Sequence, residues 1–118
     1  RDVKDFPVPG IIFKDITTVL SNPEYLKWMK DEIVNLYRAY GITKVVGIES
    51  RGFILGPAVA MDLGAGFVPV RKPGKLPAET IEVSYAKEYG VDTIQIHADA
   101  LCGRTPTASS ASMYFSKA

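Results

Sequence analysis

The sequence predicts an α/β fold built on a parallel sheet. Three observations carry that prediction. Residues 44–70 read as strand, helix, strand, the crossover that two parallel strands require. Both strands run straight into groups suited to an anion: Glu49-Ser50-Arg51-Gly52 after the first, and Arg71-Lys72 after the second. Open parallel sheets bind ligands at the carboxyl ends of their strands. Downstream, two segments of alternating polarity add a hairpin to this core.

The elements follow in chain order. Pro7, Pro9 and Gly10 make an extended, turn-rich entry, and Ile11-Ile12-Phe13 is a short apolar run. Ser21-Asn22-Pro23-Glu24 starts a helix, either by Asn22 capping with Pro23 at the first helical position or by a Ser21/Glu24 capping box. Leu26, Met29, Ile33, Tyr37 and Tyr40 recur at helical spacing, and Gly41 ends the element. Lys44 to Glu49 is a buried strand, and Ser50-Arg51-Gly52 a tight turn. Phe53 to Leu63 is a second helix, in which Pro57 fits best near the first turn. Phe67 to Val70 is the second strand. Thr80 to Tyr85 and Thr93 to His97 are the two arms of the hairpin. His97 is expected at its surface, with no role as a base.

Length and composition narrow the classes. At 118 residues the chain is one domain by size, and 47% apolar with 23% charged residues is ordinary for a globular protein. The net charge of +1 gives no drive toward nucleic acid or a membrane surface. No apolar run approaches the roughly 20 residues that span a bilayer. One cysteine, Cys102, precludes an intrachain disulfide and fits a reducing, cytoplasmic setting. The chain opens on Arg1 rather than Met and shows no signal segment, so it is read as beginning inside a longer one.

The loop Arg71-Lys72-Pro73-Gly74-Lys75-Leu76-Pro77 places three cations within five residues on a turn stiffened by two prolines. Guanidinium and ammonium groups so held suit a multiply charged phosphate. A solvated basic turn has the same composition, and the loop by itself leaves both readings open.

Taken together, residues 6–17, 41–53, 66–77 and 88–92 resemble adenine phosphoribosyltransferase, in the same order and at similar spacing. The resemblance implies a type I phosphoribosyltransferase fold: a parallel-sheet, Rossmann-like core with a small hood and a β-hairpin lid. It implies purine salvage by a pentosyltransferase, moving ribose 5-phosphate from phosphoribosyl pyrophosphate to adenine and giving AMP and pyrophosphate. Magnesium would arrive on the substrate's phosphates, and no protein metal site is expected. Carried over position by position, Ile12, Phe13 and Lys14 bind adenine, Phe13 by stacking. Glu49, Ser50, Arg51, Gly52, Arg71, Lys72 and Lys75 hold the pyrophosphate, with a cis peptide between Glu49 and Ser50. Arg71 and Glu88 are catalytic, Glu88 by assisting proton movement at the adenine ring, and Tyr89 closes the lid. A cytoplasmic homodimer is implied, with Lys75 reaching toward the neighbouring subunit's site.

The resemblance stops at about Leu101. There the family continues with an apolar strand, two adjacent acids and a Thr-Gly-Gly-Thr turn, which grip the ribose hydroxyls and the 5-phosphate. None of these occurs here. Residues 102–118 hold six Ser or Thr among 17 and no acid. The expected organisation is therefore a partial phosphoribosyltransferase domain over residues 1–101 and a disordered, unrelated tail over 102–118. Without the missing strand, the apolar faces of the Val45–Ile48 strand and of the helices would lose partners, leaving the chain poorly stable alone. Two alternatives stand beside an enzyme whose 118-residue form is inactive: a non-catalytic purine- or anion-binding, regulatory protein of the same fold, and an incomplete product.

Overall fold

A computed structural model describes residues 1–87, 90–101 and, as backbone only, 111–115. It divides into two compact units, Arg1–Ile33 and Val34–Ala118.

The first unit begins with a short antiparallel pair, β1 (Asp2–Lys4) and β2 (Ile12–Lys14). The turn between them contains a cis Phe6–Pro7 bond. The Phe6 ring meets the Phe13 ring edge-on at 5.3 Å. A single helical turn, α1 (Thr17–Leu20), leads to α2 (Pro23–Tyr37), which crosses the boundary between the units. Asn22 Oδ1 accepts from the N–H groups of Glu24 and Tyr25 at 3.0 and 3.2 Å, so the Asn22 cap operates as expected. Leu26, Met29 and Ile33 lie on the partly buried side of α2 and Val34 is fully buried, whereas Tyr37 and Tyr40 are exposed and lean on each other.

The second unit holds the sheet. β3 (Ile42–Ile48) and β4 (Gly66–Val70) pair in parallel, joined by α3 (Gly52–Leu63). Val45, Val46, Val59, Ala60, Val68 and Val70 are buried, which is why both strands read as nearly continuous apolar runs. α3 runs through Pro57 in its second turn rather than its first. Close approach of α3 to β3 depends on Gly47: a Cβ there would lie 2.7 Å from the Gly52 carbonyl and from the Phe67 ring.

The hairpin is longer than its sequence signal. β5 (Thr80–Lys87) pairs with β6 (Gly90–His97) antiparallel along its length, and Ile94 and Ile96 pack on Val46, Val68 and Val70. His97, expected at the surface, is half-buried, and its buried Nε2 has no hydrogen-bond partner among the described residues.

One expectation is corrected. Within the tail assigned as disordered, Ala111–Phe115 form β7, a parallel strand beside β3 on the side away from β4. β3 is therefore paired on both sides. The physical reason is backbone demand: an unpaired flank of a buried strand leaves N–H and C=O groups unsatisfied, and the main chain of any extended segment can satisfy them. The remaining tail residues, 102–110 and 116–118, lie outside the described residues, as does Cys102.

Candidate functional site

Two strand ends and one loop converge in the second unit. β3 ends at Ile48, and the Glu49 N–H donates to the Val70 carbonyl at 2.9 Å, which fixes the end of β3 against the end of β4. The Glu49–Ser50 peptide is cis, as the resemblance implied. Gly52 opens α3, so the first-turn N–H groups of that helix lie beside Ser50 and Arg51. Two of them are already engaged: the Phe53 and Ile54 N–H groups donate to the Ser50 and Arg51 carbonyls at 3.1 and 3.2 Å, closing the turn.

Glu49 organises the basic loop. Its side chain is only 9% exposed. Oε2 accepts from Arg71 Nε and Nη2 and from Lys75 Nζ, each at 3.3 Å. Oε1 accepts from the Lys72 backbone N–H at 2.5 Å. The Lys72 N–H is the main cause holding the carboxyl below its ordinary range, with Lys75 and Arg71 adding to it against the opposing effect of burial. The Arg71 guanidinium also lies 5.9 Å from the centroid of the Phe53 ring, which in turn meets Phe67 edge-on at 5.8 Å. Arg71 is thus placed between a carboxylate and an aromatic face.

An open pocket of about 600 Å³ lies over this arrangement. Glu49, Ser50, Arg51 and Gly52 form one wall, and Lys72 and Lys75 a second. The hairpin supplies the third through Tyr85, Lys87 and Asp92. Lys87 is ion-paired with Asp92, which raises the lysine and lowers the acid. Among the described residues, no group of three or more His, Cys, Asp or Glu side chains could hold a metal ion. No helix among them is long and apolar enough to cross a membrane.

Of the residues expected to hold pyrophosphate, Glu49, Ser50, Arg51, Gly52, Lys72 and Lys75 line one pocket, and Arg71 is bonded to Glu49. The Glu49 carboxylate faces the loop that carries the cations. Ile12, Phe13 and Lys14 lie on β2 in the first unit: Ile12 is exposed, Phe13 is half-buried against Phe6, and Lys14 Nζ donates to both Asp2 carboxylate oxygens at 2.7 Å. Glu88 and Tyr89 lie outside the described residues. Sequence reasoning missed Tyr85, Lys87 and Asp92 as pocket residues. Their placement depends on hairpin register, Tyr85 opposite Asp92, which alternating polarity alone does not fix.

No protein-family profile matches the chain. Among curated proteins, it is 63% identical over 101 residues to an adenine phosphoribosyltransferase of Bacteroides fragilis, covering 86% of this chain and 57% of that protein. The crystal structure of adenine phosphoribosyltransferase from Rhodothermus marinus is similar with a TM-score of 0.77 at 59% identity, over 85% of this chain and 57% of that one. The enzyme from Giardia lamblia, complexed with 9-deazaadenine, gives a TM-score of 0.81 at 46% identity, over 86% and 56%. The chain has the fold of these type I phosphoribosyltransferases over the matched part, and it spans somewhat over half the length of the relatives it matches.

Proposed function

We propose that this chain carries the pyrophosphate side of an adenine phosphoribosyltransferase site. In that reaction ribose 5-phosphate passes from phosphoribosyl pyrophosphate to adenine, giving AMP and pyrophosphate in purine salvage. One observation carries the reading: Lys72 and Lys75 rise from a loop held by Glu49 and share a pocket with the Ser50–Gly52 turn.

The residues suit the charge that develops. As the bond from ribose to pyrophosphate breaks, negative charge gathers on the leaving group and positive charge on the sugar. Ammonium groups fixed beforehand near the leaving group lower that barrier without reorganising at the moment of reaction. Lys72, Lys75 and Arg51 supply the positive charge. Glu49 is a positioning residue: it holds Arg71, Lys72 and Lys75 in one place. Magnesium would reach the site on the substrate's phosphates, where it adds further charge neutralisation. In the first unit Phe13 would stack on the adenine, with Ile12 and Lys14 beside it. Glu88 would assist the ring's proton and Tyr89 close the lid. A cytoplasmic homodimer completes the reading.

The 118-residue chain is expected to bind pyrophosphate without turnover, since the acid pair and Thr-Gly-Gly-Thr turn are absent from its sequence. Titration calorimetry with pyrophosphate, with and without magnesium, tests the first part. Failure to bind at millimolar concentration would remove the basis of the reading. For the second part, labelled adenine and phosphoribosyl pyrophosphate should yield no AMP above a heat-killed control.

A further inference from the structure

Gln95 lies on β6, outside every group assigned above, and makes four directed contacts. Two are backbone: the Arg71 N–H donates to the Gln95 carbonyl at 2.9 Å, and the Gln95 N–H donates to the Arg71 carbonyl at 2.7 Å, an isolated antiparallel bridge. Two are side-chain: Oε1 accepts from the Gly74 N–H at 3.3 Å, and Nε2 donates to Glu82 Oε2 on β5 at 2.8 Å. A carboxamide can do this because it presents an acceptor and a donor at once.

The basic loop therefore has three backbone anchors: Arg71 on the Gln95 main chain, Lys72 on Glu49, and Gly74 on the Gln95 side chain. Gly74 has φ +80, a left-handed turn conformation, and lies next to Lys75. Where its N–H is held sets where the Lys75 stem begins. The same residue ties this turn to Glu82 across the hairpin. Hairpin and loop also line one pocket, Tyr85, Lys87 and Asp92 from the one and Lys72 and Lys75 from the other.

We propose that Gln95 is a positioning residue that couples the β5–β6 hairpin to the anion-binding loop. An anion held by Lys72 and Lys75 then tightens the hairpin, and loosening the hairpin weakens the hold on the anion, since linkage between two binding equilibria is reciprocal. The inference rests on the proposed pyrophosphate reading, and the experiment separates the two.

Amide hydrogen exchange of the 118-residue chain, followed by NMR with and without sodium pyrophosphate, supplies the test. In the unaltered chain, pyrophosphate should slow exchange at Lys72 and Gly74 and also at Ile94 and Ile96. In Gln95→Ala, Gly74 should exchange about two- to tenfold faster, the span expected for one net hydrogen bond, and pyrophosphate should slow the loop while protecting the hairpin less. Amides of Val45 and Val46 report whether this variant stays folded. If it does not, Gln95→Glu decides. Glutamate keeps the acceptor for Gly74 and loses the donor to Glu82, so Gly74 should stay within about twofold of the unaltered chain. Unchanged Gly74 exchange in Gln95→Ala, undiminished hairpin protection, or a Gly74 in Gln95→Glu as fast as in Gln95→Ala would overturn the proposal. No pyrophosphate effect anywhere in the unaltered chain would instead overturn the pyrophosphate reading, and the Gly74 anchor would be judged on its own exchange rate.

Discussion

The loop at the end of β4 and the β1–β2 pair in the first unit are both expected to touch substrate, yet they are held in different ways. Arg71, Lys72 and Lys75 converge on one nearly buried carboxylate, and Arg71 also lies over a ring and bridges to β6. On β2, Ile12 is exposed, Phe13 leans on Phe6, and Lys14 meets Asp2 at the surface. The difference tracks the chemistry each would face. Like charges gathered for an anion repel one another unless a carboxylate orders them. A flat purine needs only a ring to stack on, and a ring needs little organisation.

Four experiments test this contrast. The largest effect is expected from Gly47→Ala, whose Cβ meets both the Gly52 carbonyl and the Phe67 ring. Overpacking of this kind costs about 1–3 kcal/mol, read as a lower urea midpoint with an unchanged slope. An unchanged midpoint would mean that α3 and β3 shift apart freely, and the loop would lose its claim to a rigid base.

Next comes Glu49→Gln. If the carboxylate only neutralised the cations, its loss would strengthen pyrophosphate binding. As a positioning residue it should weaken binding about tenfold, about 1.4 kcal/mol, although the loop becomes more positive. Calorimetry gives the sign directly, and tighter binding would refute the role assigned to Glu49.

Acid should then erase part of the contrast. The folded protein holds Glu49 below its ordinary carboxylate value. Its stabilising contribution is therefore complete above the unfolded value, about 4.3, and lost as pH falls through the lower folded one. The stability gap between the unaltered chain and Glu49→Gln should be constant from neutral pH to about 5 and close below it. A gap that widened on acidification would mean the shift has the opposite sign. The smallest effect is expected from Lys14→Ala. Exposed ion pairs contribute about 0–1 kcal/mol, so the urea midpoint should barely move. A large loss there would show that β2 is as tightly organised as the loop.

Much of this arrangement was legible in the sequence, for identifiable reasons. β3, α3 and β4 announce themselves because burial on both faces demands nearly continuous apolar runs. The Asn22 cap and the hairpin carry local signals of residue type and alternation. Glu49 and the basic loop were visible as chemistry, though not the direction in which Glu49 points, which is a matter of three dimensions. β7 was missed because Ala111-Ser112-Met113-Tyr114-Phe115 shows no two-residue period, and its partner strand begins 69 residues earlier at Ile42. Gln95 was missed for a related reason. Two of its four contacts use the backbone, which any residue possesses, so its type gave no hint of its position.

The ring of Phe67 occupies space that side chains at both residue 47 and residue 56 would need, since a Cβ on Gly56 would come within 2.5 Å of it. Three positions far apart in the chain thus share one fixed volume. A smaller residue at 67 would open room at residue 56, whereas a side chain at residue 47 would still meet the Gly52 carbonyl at 2.7 Å. A side chain at residue 56 therefore requires the ring to shrink first, and when it does, Phe53 and the guanidinium it supports lose their backing.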